Sequence, residues 1–388
     1  MVVVTGPRQA GKSTFVQAAP QLTGRPYVTL DDATTARRAR EAPEAFVQSA
    51  PFLTIDEVQR NPDLILAIKL AVDPPQPRVP GQFVLTGSAN LLMMRRVADS
   101  LAGRAYYLTL WPMTRREQLG LGVTGEWEQF FQEPVARWPD LLRADIAPAE
   151  SWRDAVRRGD FPTPTTMADP LARDLWFQGY IDTYVRRDLQ DLAAVEHVVD
   201  VRRLMQATAL RIGNLLNQTE LARDIQLPPT TVHRYLDLLE TSYQIVRLHP
   251  YTVNRTKRLI KTPKVYWNDA ALALHVGGGP HAVPSGTHLE NLVLCDLLAW
   301  RDLQVPRPEI LYWRTTSGQE VDFVIEWQQQ LIPIEVKASE RPTPRDAAGL
   351  RTFLEEYPEW PGGLLLHGGS EVLLLGERIV AAPWWSVI

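Results

Sequence analysis

Four residues have the types and spacing to handle a nucleotide: Lys12, Ser13, Asp56 and Glu57. The stretch "GPRQAGKST", from Gly6 to Thr14, matches G-x-x-x-x-G-K-S directly after the apolar run "VVVT" and before a helical stretch. In such a loop (Gly6, Pro7, Arg8, Gln9, Ala10, Gly11, Lys12, Ser13, Thr14) backbone N–H groups curl around phosphates, and the helix N-terminus adds positive potential. Lys12 is expected to reach the β- and γ-phosphates of ATP, and the Ser13 hydroxyl to ligate Mg²⁺. The partner element is "PFLTIDEVQ", a buried strand ending in Asp56 and Glu57. Asp56 is expected to hold Mg²⁺ through water, and Glu57 to orient and deprotonate the attacking water. Adjacent acids at a strand end also suit the capping of a following helix.

"FVLTGSAN" is a third strand with a small polar end. It is expected to lie between the two motif strands and to sense the γ-phosphate, with Ser88 as first choice and Thr86 second. Turn chemistry is the other reading of Gly-Ser. Arg104, in "LAGRAYYL", reads as an arginine finger or a surface residue, with the finger favoured. "LDDATTARRAR" reads as a strand end with Asp31 or Asp32 capping a helix.

A second group of chemistry-bearing residues sits in "VDFVIEWQQQLIPIEVK", two strands joined by a short polar turn. Glu335 and Lys337 are two apart and share one strand face, and Asp322 comes from the adjacent strand. Acids and a lysine are costly in an apolar hairpin unless they hold a metal or pair with one another. With Glu290 from the apolar helix "GTHLENLVLCDLLAW", the carboxylates are expected to bind a divalent ion, with Lys337 facing the scissile phosphate. Thr287-x-x-Glu290 also has the form of a capping box, which needs no metal. The arrangement is similar to the PD-(D/E)-x-K site of restriction-endonuclease-like nucleases. Pro333 within the second strand suggests an edge or a bulge.

Between these groups, "NQTELARDIQLPPTTVHRYLDLLETSYQIVRL" reads as helix, turn, helix and strand, with Thr219 and Thr230 at the cap positions. Val232, Leu236 and Leu239 make one apolar face, with Tyr235 beside it. Thr231, His233 and Arg234 are left for the other faces, which is the spacing of a helix-turn-helix that reads DNA. From Arg247 to Lys264 there are six Lys or Arg and no acid. This segment, with Arg255, Lys257, Arg258 and Lys261, is expected to form a basic wing on phosphates. Interaction modules and solvated basic loops have the same pattern.

The elements that must position these residues follow from the hydrophobic pattern. The runs "VVVT", "YVTL", "FLTI", "FVLT" and "YYLTL" alternate with helical stretches, as in a mostly parallel sheet flanked by helices. The chain reads as α/β: a P-loop domain (1–120), a helical connector (121–170), a helical and winged-helix region (171–264) and a C-terminal α/β domain (265–388). The tail "GGLLLHGGSEVLLLGERIVAAP" reads as two more strands. A net charge of −4 over 388 residues confines any nucleic-acid contact to a local patch. One cysteine, Cys295, excludes an internal disulfide framework and fits a reducing cytoplasm. No apolar run approaches the roughly 18 residues of a spanning helix. The opening directly on a strand suggests a missing N-terminal segment.

Taken in order, "GPRQAGKST", "LDD", "IDEVQ", "LTGSANLL", "SLAGR", "YVRRDL", "KTPKVYWND", "HLENLVLCDLL", "GQEVDFVI" and "PIEVKAS" resemble the bacterial and archaeal AAA-type ATPases that carry a C-terminal winged helix and a restriction-endonuclease-like domain. The resemblance covers nearly the whole chain. It implies ATP and Mg²⁺ at Lys12, Ser13, Asp56 and Glu57, and a nuclease-like cluster at Glu290, Asp322, Glu335 and Lys337. The chain departs from the family in lacking the helical leader before the first strand, and it shows no clear second sensor arginine. The expected protein is a cytoplasmic, non-membrane ATPase that engages DNA and allows homo-oligomers. The rival is a nucleotide-dependent switch or scaffold with an inert C-terminal fold.

Overall fold

The computed structural model describes residues 1–73, 79–87, 101–142, 150–184 and 198–388. One compact unit is built on Met1–Pro112 and takes in Asp237–Gln244; the rest of the described chain forms a second.

In the first unit the five apolar runs become β1 (Val2–Thr5), β2 (Tyr27–Thr29), β3 (Leu53–Asp56), β4 (Phe83–Thr86) and β5 (Tyr106–Thr109). They pair in the order β2-β3-β4-β1-β5, and every pairing is parallel. Parallel sheets are covered on both faces, so "LTID" and "FVLT" are buried at every position. Val3, Leu53, Ile55, Phe83 and Leu85 share one core with Ala39, Phe46, Leu64, Ile65 and Ile68 of the helices that follow β2 and β3. Val4 and Val84 point the other way, onto Val16 of the helix Lys12–Ala18. Asp32 caps the helix Ala33–Glu41 by accepting the Thr35 N–H at 2.7 Å. β4 lies between β3 and β1, so the end of β4 is next to both motif strands.

The second unit starts with short helices between Arg115 and Arg158. Helices Val198–Ala209, Gln218–Asp224 and Pro229–Thr241, the last of which ends in residues of the first unit, follow, and then an antiparallel pair, β6 (Ile245–Leu248) with β7 (Lys264–Trp267). Asn217, not Thr219, caps Gln218–Asp224, because its side chain accepts both the Thr219 and Glu220 N–H groups. The apolar face expected on Pro229–Thr241 is buried at Val232, Tyr235, Leu236 and Leu239. The connection between β6 and β7 contains the helix Arg255–Ile260.

A mixed six-stranded sheet closes the unit, in the order β12-β13-β11-β10-β9-β8. Its members are β8 (Glu309–Arg314), β9 (Glu320–Trp327), β10 (Gln330–Lys337), β11 (Gly363–His367), β12 (Leu373–Leu374) and β13 (Ile379–Pro383). The tail thus makes three strands rather than two; β12 is too short to leave a hydrophobic alternation. The expected edge at Pro333 is also corrected. β10 is interior, antiparallel to β9 and parallel to β11. Pairing to β11 begins at Ile334 with Leu364, one residue past Pro333, so the missing N–H falls where that ladder has not started. The helix Gly286–Leu303 packs on β10 and β8, and Ala348–Glu356 on β9 and β10.

Candidate nucleotide site and buried acid cluster

The phosphate loop depends on a close approach of backbone to backbone. Gly6 sits at φ 133°, and a Cβ there would lie 2.1 Å from the Leu110 carbonyl oxygen. No side chain fits, so the turn out of β1 requires glycine. Gln9 and Gly11 are also left-handed, at φ 61° and 91°. Lys12 is buried at the start of its helix, and its ammonium donates to the Gly6 and Pro7 carbonyls at 3.2 and 2.7 Å.

Asp56 is 3% exposed at the end of β3. Three hydroxyls converge on its carboxylate. Ser13 donates at 2.9 and 3.1 Å, and Tyr27 donates to Oδ2 at 2.7 Å. Thr86 Oγ1 donates to Oδ1, and also accepts the Glu57 N–H at 3.3 Å. Burial first, and then the hydrogen bond to Asp56 and its charge, push the Tyr27 phenol up to about 12, so it is the protonated form that faces the carboxylate. Glu57 follows in a left-handed conformation, φ 56°, and its carboxylate takes the Gln59 amide. Glu57 makes no side-chain cap to the turn Val58–Arg60, so the capping alternative is not realised there.

Of the two sensing candidates, Thr86 touches Asp56, and Ser88 lies outside the described residues. Arg104, the arginine-finger candidate, is not brought to the phosphate loop of its own chain. Arg104 precedes β5 at the end of the sheet opposite the phosphate loop, since Val2 pairs with Tyr106 and Thr5 with Thr109. Its guanidinium is held by both carboxylate oxygens of Asp73, at 2.6 and 2.8 Å.

In the second unit the hairpin acids take partners inside the protein. Asp322 accepts the Val336 N–H at 2.9 Å and lies 3.4 Å from the Lys264 ammonium. Lys264 is 2% exposed and also pairs with Glu320. Glu335 accepts from Lys337, while its other oxygen is buried with no hydrogen-bond partner. Glu290 accepts from the Tyr266 hydroxyl at 3.1 Å. Burial pulls against the charge of Lys264, but Asp322, Glu290 and Glu320 outweigh it and hold the ammonium above the usual lysine range. Burial, and then the charge of Asp322, push both Glu290 and Glu335 upward, toward their neutral forms. Among the described residues, no group of three His, Cys, Asp or Glu side chains is set to hold a metal ion. Glu290, Asp322 and Glu335 are near enough to repel one another, and a buried lysine supplies positive charge within their cluster. The capping alternative for Glu290 is corrected. The helix begins earlier, with Ser285 and His288 forming the box, which frees Glu290 for Tyr266.

The basic segment divides in two. Arg258 is buried against Glu309 at 2.7 Å and Glu326, over the Tyr251 ring, and Arg255 pairs with Glu326 at 3.0 Å. These acids occupy two of the arginines expected to meet phosphates. Lys257 and Lys261 are exposed, as are His233 and Arg234, while Thr231 is half-buried. His233 lies 3.3 Å from Gln218.

Tyr27, Lys264, Tyr266 and Gln59 were not singled out by the sequence. In sequence Lys264 is one more charge of a basic stretch. The usable signal was its place beside the apolar "VYW", which forces its stem into a core.

Residues 1–119 match the family described as AAA domain. The first unit is therefore P-loop ATPase-like, in keeping with its five-stranded parallel sheet. Residues 149–281 and 285–387 match two domains of unknown function, DUF8612 and DUF4143. An uncharacterized protein of Mycobacterium tuberculosis is 27% identical over 389 residues, covering 99% of this chain and 80% of its own length. An uncharacterized protein of Haemophilus influenzae is 24% identical over 65% of this chain and 58% of its own length, and one of Methanocaldococcus jannaschii is 23% identical over 62% and 52%. Among the described residues, no helix is long and apolar enough to cross a membrane.

Proposed function

We propose that the AAA domain binds ATP with Mg²⁺ and hydrolyses it, and that the second unit is a scaffold for a partner rather than a metal-dependent nuclease. The observation that carries the first part is the Ser13 hydroxyl set on the Asp56 carboxylate beside a glycine-shaped phosphate loop. This donor set fits a hard cation with oxygen ligands. Lys12 would leave the loop carbonyls for the β- and γ-phosphate oxygens. Ser13 would offer its oxygen to the metal while its O–H still donates to the Asp56 carboxylate. Glu57, released from Gln59, would hold and deprotonate the attacking water. Bound Mg²⁺ supplies the charge that offsets the phosphate oxygens. Lys12→Ala is expected to abolish nucleotide binding. Glu57→Gln is expected to keep binding and lose turnover by at least about a hundredfold. Wild-type turnover in Glu57→Gln, measured by phosphate release, would reassign the base.

The scaffold reading of the second unit is supported by Lys264 within the acid cluster. DNA contact is a second reading, favoured by the exposure of His233 and Arg234 opposite the buried face of Pro229–Thr241. Its test is duplex binding by His233→Ala/Arg234→Ala across a salt series. Loss of affinity with a shallower slope supports it, and equal affinity and slope remove it.

A further inference from the structure

The Asp56 carboxylate is gripped from two sides by hydroxyls that belong to neither motif. Thr86 reaches Oδ1 from β4, and Tyr27 reaches Oδ2 from β2. The Tyr27 contact follows from strand register. Thr29 is the partner of Asp56 and Tyr27 that of Thr54, so Tyr27 lies on the same face, two residues back. Two residues of strand span roughly 6.6 Å, about the reach of a tyrosine side chain lying along the sheet. The ring packs against the Val4, Val16 and Val84 core, which fixes its direction and leaves the phenol oxygen at the carboxylate.

We infer that Tyr27 is a positioning residue for the metal of the nucleotide site, its phenol fixing the rotation of the Asp56 carboxylate so that the metal's water shell meets a preset acceptor. This rests on the reading of the AAA domain given above. Ser13 is a shared partner, because its oxygen must also face the metal while its O–H donates to Asp56. Without the Tyr27 phenol, Oδ2 keeps only the Ser13 hydroxyl that the metal also engages, and the carboxylate's rotation is held less firmly. Outer partners of this kind typically change metal affinity by about 10–100-fold. Tyr27→Phe keeps the ring and its packing and removes only the donor.

The full chain is titrated with Mn²⁺ in the presence of a non-hydrolysable ATP analogue, with free Mn²⁺ followed by electron paramagnetic resonance. Affinity for a fluorescent ATP analogue is measured separately in EDTA. Tyr27→Phe is expected to weaken Mn²⁺ binding by about tenfold and to leave the metal-free nucleotide affinity unchanged. Equal Mn²⁺ affinity overturns the inference, and so does an equal loss of both affinities, which marks a packing role. Thr86→Val, which removes the grip on Oδ1, is expected to shift Mn²⁺ in the same direction, and it serves as the test if Tyr27→Phe does not fold. If the wild type itself shows no nucleotide-dependent Mn²⁺ binding, the nucleotide-site reading falls and this inference with it. Mn²⁺ binding in the wild type that Tyr27→Phe retains at equal affinity overturns this inference alone.

Discussion

Asp56 and Asp322 are both buried aspartates on β-strands, 3% and 6% exposed, and they are met by opposite kinds of partner. Asp56 receives three neutral hydroxyls. Asp322 receives a backbone N–H and lies in a cluster threaded by the Lys264 ammonium. Dipoles orient a carboxylate without cancelling its charge, whereas an ammonium cancels it within the fold. The difference separates a carboxylate oriented by dipoles, with no cation among the partners described for it, from one already paired with an ammonium, although both follow strand patterns that read alike in sequence.

The largest expected effect breaks this comparison at its charged end. Lys264→Met should destabilise the second unit by about 3–5 kcal/mol, because buried Asp322 and half-buried Glu320 lose their counter-charge. Urea unfolding followed by circular dichroism measures it. Metal-free nucleotide affinity should not change. A stable Lys264→Met protein that gains Mn²⁺ binding would make the two aspartates alike and end the distinction. Arg258→Ala removes a second internal counter-charge, the one over Glu309 and Glu326, and should cost about 2–3 kcal/mol in the same assay.

Asp296 sharpens the comparison, being a buried acid met by neutral donors in the second unit. It accepts the Trp127 indole N–H at 2.6 Å and the Gly125 N–H. Burial pushes it up to about 7 against those donors, so neutral partners do not keep it charged there. Its folded pKa lies above the ordinary carboxylate value, so the folded state binds the extra proton. The contribution to stability falls as pH rises from about 4 to 7 and stays lost above that. Asp296→Asn should therefore exceed wild type by on the order of 2 kcal/mol at pH 8, with the gap closing toward pH 4. A pH-independent gap in urea midpoints would assign the effect to packing. The smallest effect is expected for Lys257→Ala, an exposed neighbour of Arg258, within about 0.5 kcal/mol of wild type.

The parts of this design that were legible in sequence are those carried by short-range patterns. The five parallel strands, the loop from Gly6 to Thr14, the Asp32 cap and the buried face of Pro229–Thr241 all depend on residues within a turn or two of one another. What stayed hidden depends on register or on distant partners. Tyr27 reaches Asp56 only because β2 and β3 pair with Thr29 beside Asp56. Lys264 meets Asp322 across 58 positions of sequence, and Arg258 meets Glu309 across 51. A basic residue in a basic stretch carries no mark of the acid it will bury. The Glu290 helix was misread for a local reason: Thr287-x-x-Glu290 and Ser285-x-x-His288 compete for one start, and the second wins.

The place of β1 has a consequence for synthesis. Val2 pairs with Val84 on one side and Tyr106 on the other, both in parallel. The strand that carries the phosphate loop is therefore made well before either neighbour and finds no partner until most of the AAA domain has been made. Non-local parallel pairing of this kind is slow to form and leaves apolar strands uncovered in the meantime. "VVVT" should be the segment of the nascent chain most in need of protection, and chains stalled before Tyr106 should be more sensitive to protease at residues 1–30 than chains stalled beyond the end of β5.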